Sequence, residues 1–302
     1  MGDLRPERIE AAAAEIPAVF RHTPQFLDER LSNEFGRSVV VKVETLNPIG
    51  SFKGRGTSLL TRKLDPARTW VCSTAGNFGQ GVAFAARERG VKLRVFVSPA
   101  VPAGKVASMR RLGATVGVHD RPTAAARDYA AEGDERLLVV DGEDPAMAEG
   151  AGTIGLELEA AGPFDAAVVQ LGDGALISGV ACRLKSVSPR TRVIGVCASG
   201  SPAMERSFRA GRPLADPGTG TIATAIAIEE PVPESFARVK ALVDDVVLVD
   251  DDDLRAAMTL IADALGVLVE PAGAAGVAAL SRYGAELPGE RVAVVLTGAL
   301  GT

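Results

Sequence analysis

Short runs of β-branched residues alternate with alanine-rich segments along most of the chain, and this alternation narrows the available folds more than any other feature. Strand-like runs cover 39–43, 93–97, 115–118, 137–140, 166–171, 193–197, 246–249 and 292–296. Helical patterns lie between them at 79–89, 103–111, 123–131, 175–186, 252–265 and 272–282. Such an order builds mainly parallel sheets covered by helices, the α/β class. The block 70–140 is a self-contained run of these units, leaving through an Asp/Gly/Pro-rich exit at 141–145. Residues 69–145 are therefore expected to form a smaller α/β domain, inserted into a larger one made of 1–68 and 146–302. Asp251 or Asp252 is the expected N-cap of the helix that follows the acidic run 250–253, which reads as a solvated helix start and not as a metal site.

Several function classes are disfavoured by composition. A net charge of −5, with no basic tract interleaved with aromatics, argues against nucleic acid as a partner. No apolar run reaches membrane-spanning length, and the first ten residues lack the order of a secretory signal, so a cytoplasmic protein without membrane contact is expected. The three scattered cysteines, Cys72, Cys182 and Cys197, suit a reducing compartment. Only two histidines occur, His22 and His119, with no metal-spaced neighbours; both read as structural, which disfavours a zinc enzyme or a Ser-His-Asp hydrolase. Proton chemistry must then come from lysine, carboxylates or a cofactor.

One lysine stands in an unusual setting. In Asn47-Pro48-Ile49-Gly50-Ser51-Phe52-Lys53-Gly54-Arg55-Gly56 it has an aromatic neighbour, a small hydroxyl residue and three glycines, just after a strand-like run. A nucleophilic amine needs such a holder, partly desolvated and open to close approach by a ligand.

Three glycine-rich turns follow strands. The first, Ser73-Thr74-Ala75-Gly76-Asn77-Phe78-Gly79, leads into a helix; it reads either as an anion-binding helix start or as a turn with Asn77 left-handed. The second, Gly172-Asp173-Gly174-Ala175-Leu176, has the make-up of a phosphate cradle without matching a dinucleotide fingerprint. Asp173 would repel a phosphate, so its side chain is expected to point away or to cap the helix. The third, Thr297-Gly298-Ala299, puts a hydroxyl at the end of the last strand, where α/β proteins bind ligands.

In this order the segments resemble the threonine/serine dehydratase and serine racemase branch of the tryptophan-synthase-β-like, fold type II, pyridoxal phosphate (PLP) enzymes. The resemblance runs from His22 to the C-terminus and includes STAGNFGQGVAFAARERGV, PAGKVASMRRLGATV, LGDGALISG, LVEPAGAAGVAAL and VVLTGALG. It implies two three-layer α/β/α domains, a PLP cofactor, a small amino-acid substrate and a homodimer. Lys53 would carry the cofactor as a Schiff base and act as the Cα base, with Phe52 packed near the ring. Asn77 would bond the ring hydroxyl, the backbone from Gly172 through Asp173, Gly174 and Ala175 to Leu176 would hold the phosphate, Thr297 would meet the pyridine nitrogen, and Glu270 would lie near the ring. Ser73, Thr74, Ala75, Gly76 and Phe78 would face the substrate.

The resemblance also bears on the reaction. A neutral hydroxyl at Thr297 does not enforce protonation of the pyridine, which suits elimination better than transamination. The racemases of this branch carry a serine where this chain has Ala75, and a methyl group moves no proton. Elimination of the β-hydroxyl from threonine or serine, giving a 2-oxo acid and ammonia, is the leading expectation. The alternatives are β- or γ-replacement, or a degenerate PLP-binding homologue. Asp173, Ala175, Phe78, Thr224 and Ala225 depart from the family pattern, and Cys197 stands where many relatives carry a cation-supporting glutamate, so no metal site is expected. With the chain stopping at Thr302, no C-terminal regulatory domain is expected either.

Overall fold

The computed structural model describes residues 3–287 and 289–301. Its strands are β1 (Gln25–Leu27), β2 (Ser38–Val43), β3 (Thr69–Ser73), β4 (Leu93–Val97), β5 (Thr115–Val118), β6 (Arg136–Leu138), β7 (Ala166–Gln170), β8 (Arg192–Ala198), β9 (Asp245–Val249) and β10 (Arg291–Leu296). The helices on the N-terminal side are α1 (Pro6–Glu15), α2 (Glu29–Phe35), α3 (Lys53–Arg62), α4 (Asn77–Glu88), α5 (Ala103–Arg111) and α6 (Pro122–Ala131). They are followed by α7 (Ala146–Leu158), α8 (Ala175–Val187), α9 (Ala203–Ala210), α10 (Pro233–Leu242), α11 (Asp251–Leu265) and α12 (Pro271–Tyr283).

Two sheets result. The larger has the order β1-β2-β10-β7-β8-β9 and is parallel except for β1, which pairs antiparallel with β2. The smaller, β5-β4-β3-β6, is parallel throughout and comes from one continuous stretch, whereas the larger draws strands from both flanks of that stretch. Successive side chains of a strand point to opposite faces. Val41 and Val168 accordingly pack with Ile261 and Val277 of α11 and α12. Val40 and Val169 pack on the other side with Ile154 and Ile177 of α7 and α8. With both faces covered, β7 (AAVVQ) is buried at every position and shows no polar alternation.

All eight strand-like runs and all six helical patterns correspond to observed elements, three of them with identical bounds and the rest with ends shifted by at most two residues. The N-cap of α11 is a correction: Asp250 fills it, accepting from the N–H groups of Asp252 and Asp253, while Asp253 reaches back to the Asp250 N–H in a capping box. The patterns named no element at β1, β3, α1, α2, α3, α7, α9 or α10; α7 carries glycines at 150, 152 and 155, which lower its helix propensity. In the fold they are contact points: a side chain on Gly150 would lie 2.6 Å from the Gly56 Cα of α3, so packing overrides propensity.

Candidate active site

The loop before α3 explains each residue of the lysine motif. Asn47 closes it, its Nδ2 donating to the Glu44 and Ser51 carbonyls (2.7 and 3.1 Å) and its Oδ1 accepting from the Ile49 and Ser51 amides. Gly50 takes φ 62°, a left-handed turn that favours glycine. The Phe52 N–H donates to the Thr297 carbonyl (3.1 Å), tying the loop to the end of β10. Two residues past Lys53, Arg55 turns into the interior, donating from Nε and Nη2 to Glu44 and from Nη1 to Glu157 Oε1 at 2.7 Å. One cation of the motif anchors the helix while the other is presented.

Lys53 is presented to two carboxylates. Its Nζ lies 2.7 Å from Asp141 Oδ2 and 3.2 Å from Asp173 Oδ2, with only 11 % of its side chain exposed. Burial alone would lower the pKa of the amine, but the two acids outweigh it and hold the amine above its ordinary range. Burial, reinforced by the Asp173 charge and opposed by Lys53, pushes Asp141 up to about 6. Asp173 is held below the usual carboxylate range, the Lys53 charge and the Ala175 N–H overcoming the effect of burial.

The expectation for Asp173 is met in one half only. Its Oδ1 accepts from the Ala175 N–H at 3.1 Å, capping α8, but the carboxylate does not point away: its other oxygen faces the lysine. Gly174 takes φ 99°, and its missing side chain would meet Val239 at 2.7 Å.

Opposite, Thr74 Oγ1 accepts from the Gly76 and Gly79 amides (2.9 and 3.1 Å) and so shapes the turn into α4. Asn77 is the first helical residue, and His22 is the only non-glycine with positive φ among the described residues, so the left-handed alternative for Asn77 is corrected. Its Nδ2 donates to Glu270 Oε1 at 2.7 Å, and Lys105 Nζ meets Glu270 Oε2 at 2.5 Å. The bare backbone of Gly298 lets Glu270 lie against it.

These groups line one cavity of about 570 Å³ at the carboxyl ends of β2, β7 and β10. Every residue expected to touch cofactor or substrate lines it except Ala175, which contributes an amide already engaged by Asp173. Missed by sequence reasoning were Asp141, within what read as an exit loop, and Gln170, whose Oε1 is buried without a partner among the described residues. Lys105 sat inside a matched segment but carried no expected role. A lone acid before Gly142 and after a strand was the available signal for Asp141.

An anionic aldehyde requires a held amine and a cradle of N–H donors. Lys53 is the amine, and the Asp173 carboxylate on the Ala175 N–H marks the start of α8 as a place where an anion sits. The residues present thus fit PLP, with Asp173 standing where the phosphate end would compete.

Known proteins agree with this fit. A family model described as "Pyridoxal-phosphate dependent enzyme" matches residues 17–298. The chain is 36% identical to phenylserine dehydratase of Ralstonia pickettii over 96% of its own length and 91% of that protein's. It is 34% identical to L-threonine ammonia-lyase of Thermotoga maritima, covering 97% and 74%. Among solved structures, a threonine deaminase of T.th. superposes with TM-score 0.90 at 30% identity, covering 98% of both chains. The chain belongs to the pyridoxal-phosphate dependent enzyme family.

Proposed function

We propose that this enzyme is an ammonia-lyase acting on a β-hydroxy amino acid with an uncharged side chain, releasing a 2-oxo acid and ammonia. The observation that carries the reading is the Lys53 amine, lining a cavity that is also lined by Asn77, Glu270 and Thr297. PLP, when bound, supplies an aldehyde that condenses with amines and a ring that accepts electron density from the substrate Cα.

Around that chemistry the chain's own residues divide the work. Lys53 takes the Cα proton. Asn77, oriented by Glu270, would hold the ring side of the cofactor, and Thr297 would offer the ring nitrogen a neutral hydroxyl. Phe52 packs by the lysine, whose Nζ is 5.5 Å from its ring centre. The turn of Ser73, Thr74, Ala75 and Gly76 receives the substrate carboxylate beside Phe78. The exposed methyl of Ala75 can neither give nor take a proton, so nothing there returns one to Cα, and elimination is favoured over racemisation.

The lining also bears on the substrate. Asp141, Asp173, Glu229, Glu230 and Glu270 face the cavity, and Lys53 is the one lysine or arginine among its described lining residues. Lys105 stands behind, paired with Glu270. A second substrate carboxylate would meet no spare cation and would be repelled. The relative named L-threo-3-hydroxyaspartate ammonia-lyase, from a Pseudomonas species and 32% identical, is named for such a substrate.

Residues 69–145 are assigned as a smaller unit inserted in a larger one, a division supported by the separate four-stranded sheet. A cytoplasmic location is proposed from the three scattered cysteines and a homodimer from the family resemblance, and light scattering on the purified protein tests the dimer.

The deciding experiment measures ammonia release from L-threonine, L-serine, phenylserine and L-threo-3-hydroxyaspartate. Turnover of the uncharged substrates without a co-substrate, and weak turnover of hydroxyaspartate, is expected. No D-serine should form from L-serine. A colourless protein that takes up no PLP, or a Lys53→Ala variant that still turns over, would sink the reading.

A further inference from the structure

In the scheme above Asp141 and Asp173 count only as negative lining, yet both contact the Lys53 amine. They come from separate segments, Asp141 from the loop after β6 and Asp173 from the turn before α8, 88 and 120 positions from Lys53 in sequence. One ammonium thus serves two carboxylates, and the surplus negative charge lies at the phosphate end. Asp173 holds the first amide of α8. The Asp141 Oδ1 is buried with no hydrogen-bond partner among the described residues.

We propose that Asp141 and Asp173 form an acid pair belonging to the phosphate end of the cofactor site: phosphate displaces the Asp173 carboxylate from the Ala175 amide, and the pair takes up one proton from solvent as it does so. The inference rests on the PLP reading of the site.

The physical reason is electrostatic. A phosphate dianion brought beside two carboxylates in a poorly solvated cleft is repelled by both. A proton shared by the pair turns one repelling anion into a hydrogen-bond donor and satisfies an oxygen that otherwise has no partner. Asp141 is the natural carrier, because its pKa is already pushed up to about 6 and an added anion raises it further.

The other groups facing the pair do not replace this proton. Lys53 of α3 is the one cation. Ser235 of α10 donates to the Asp173 carbonyl, not to its carboxylate. Burial and the nearby Asp141 push the Cys72 thiol of β3 up to about 12, so it stays neutral. Glu229, Glu230 and Glu270 around the cavity add negative charge, and Lys105 is committed to Glu270.

The test is calorimetric binding of 4′-deoxypyridoxine 5′-phosphate, which cannot condense with Lys53, to the whole protein freed of cofactor, in buffers of different ionisation enthalpy. At mildly alkaline pH the wild type should take up about one proton per site, with Kd rising about tenfold per pH unit above the Asp141 midpoint. Asp141→Asn should abolish that uptake and flatten the pH profile. Asp173→Gly, which frees the Ala175 amide, should bind the probe more tightly than wild type. Equal proton uptake in wild type and Asp141→Asn, or no tightening in Asp173→Gly, overturns the proposal. A protein that takes up PLP but gives either of these results fails the proton proposal alone; one that takes up no PLP fails the cofactor reading itself.

Discussion

Arg55 and Glu44 form a two-pronged ion pair beneath the active site, Nε to Oε2 and Nη2 to Oε1 at 2.8 Å each, with neither side chain exposed. Glu157 takes a third guanidinium nitrogen, and Thr153 also accepts from Arg55. Because Arg55 lies two residues beyond Lys53, this buried pair sets where α3 begins and where the reactive amine stands. Removing one partner strands a buried charge, which costs far more than an exposed pair returns. Arg55→Met is expected to lower unfolding stability by about 3–5 kcal/mol, read from urea denaturation. Arg55→Lys should restore little, since a single ammonium cannot span the fork.

The same network sets an acid limit. Burial would raise the Glu157 carboxyl, but Arg55 and Lys42 hold it down at about 2 against an ordinary value of 4.5. A lowered folded-state pKa gives stability that is fully present above the unfolded value and lost as pH falls toward the folded one. Stability should therefore drop between pH 4.5 and about 2, by roughly 3 kcal/mol from this group. Glu157→Gln should remove that part of the acid slope, which denaturation at a series of pH values will show.

Lys105 reaches Glu270 from α5, and Glu270 holds Asn77. Lys105→Met leaves a buried carboxylate one charge-assisted bond short and frees Asn77 to turn. A fall in kcat/KM of about tenfold or more is expected, along with a shifted absorbance of the bound cofactor. Adding Glu270→Gln should bring less further loss than it causes alone, because the two residues act through one contact.

Helix α8 crosses α7 where Gly179 rests on the Ala148 carbonyl. A methyl group there has no room and no flexible neighbour to displace. Gly179→Ala should destabilise the protein by about 1–3 kcal/mol without touching the cavity, lowering the thermal midpoint while leaving KM unchanged.

Much of this was legible in local pattern. The run 39–43 reads as strand because β-branched residues crowd a pleat, and Gly174 reads as a turn because it can take positive φ. Lys53, Asn77, Gly172 and Thr297 could be picked out because each sits at a glycine-marked junction following a strand-like run. Other features resisted. Helix α7, rich in glycines of low helix propensity, was not picked out, and the cap of α11 shifted because four successive aspartates offer the same chemistry. Asp173 read as an oddity in a phosphate loop, and nothing local told which way it would turn.

By itself the sequence determined the α/β class and the succession of strands and turns, and it picked out Lys53 as the candidate amine, because these depend on residues adjacent in the chain. Only the tertiary structure decided that Asp141 and Asp173 share the Lys53 amine and that Lys105, 165 positions from Glu270, holds it. The physical reason is that the sheet order β2-β10-β7 draws the segments carrying Lys53, Thr297 and Asp173 to one rim, where Asp141 and Lys105 meet them from the segment of the smaller sheet. Charges that meet there set one another's protonation, and no spacing along the chain records that they meet.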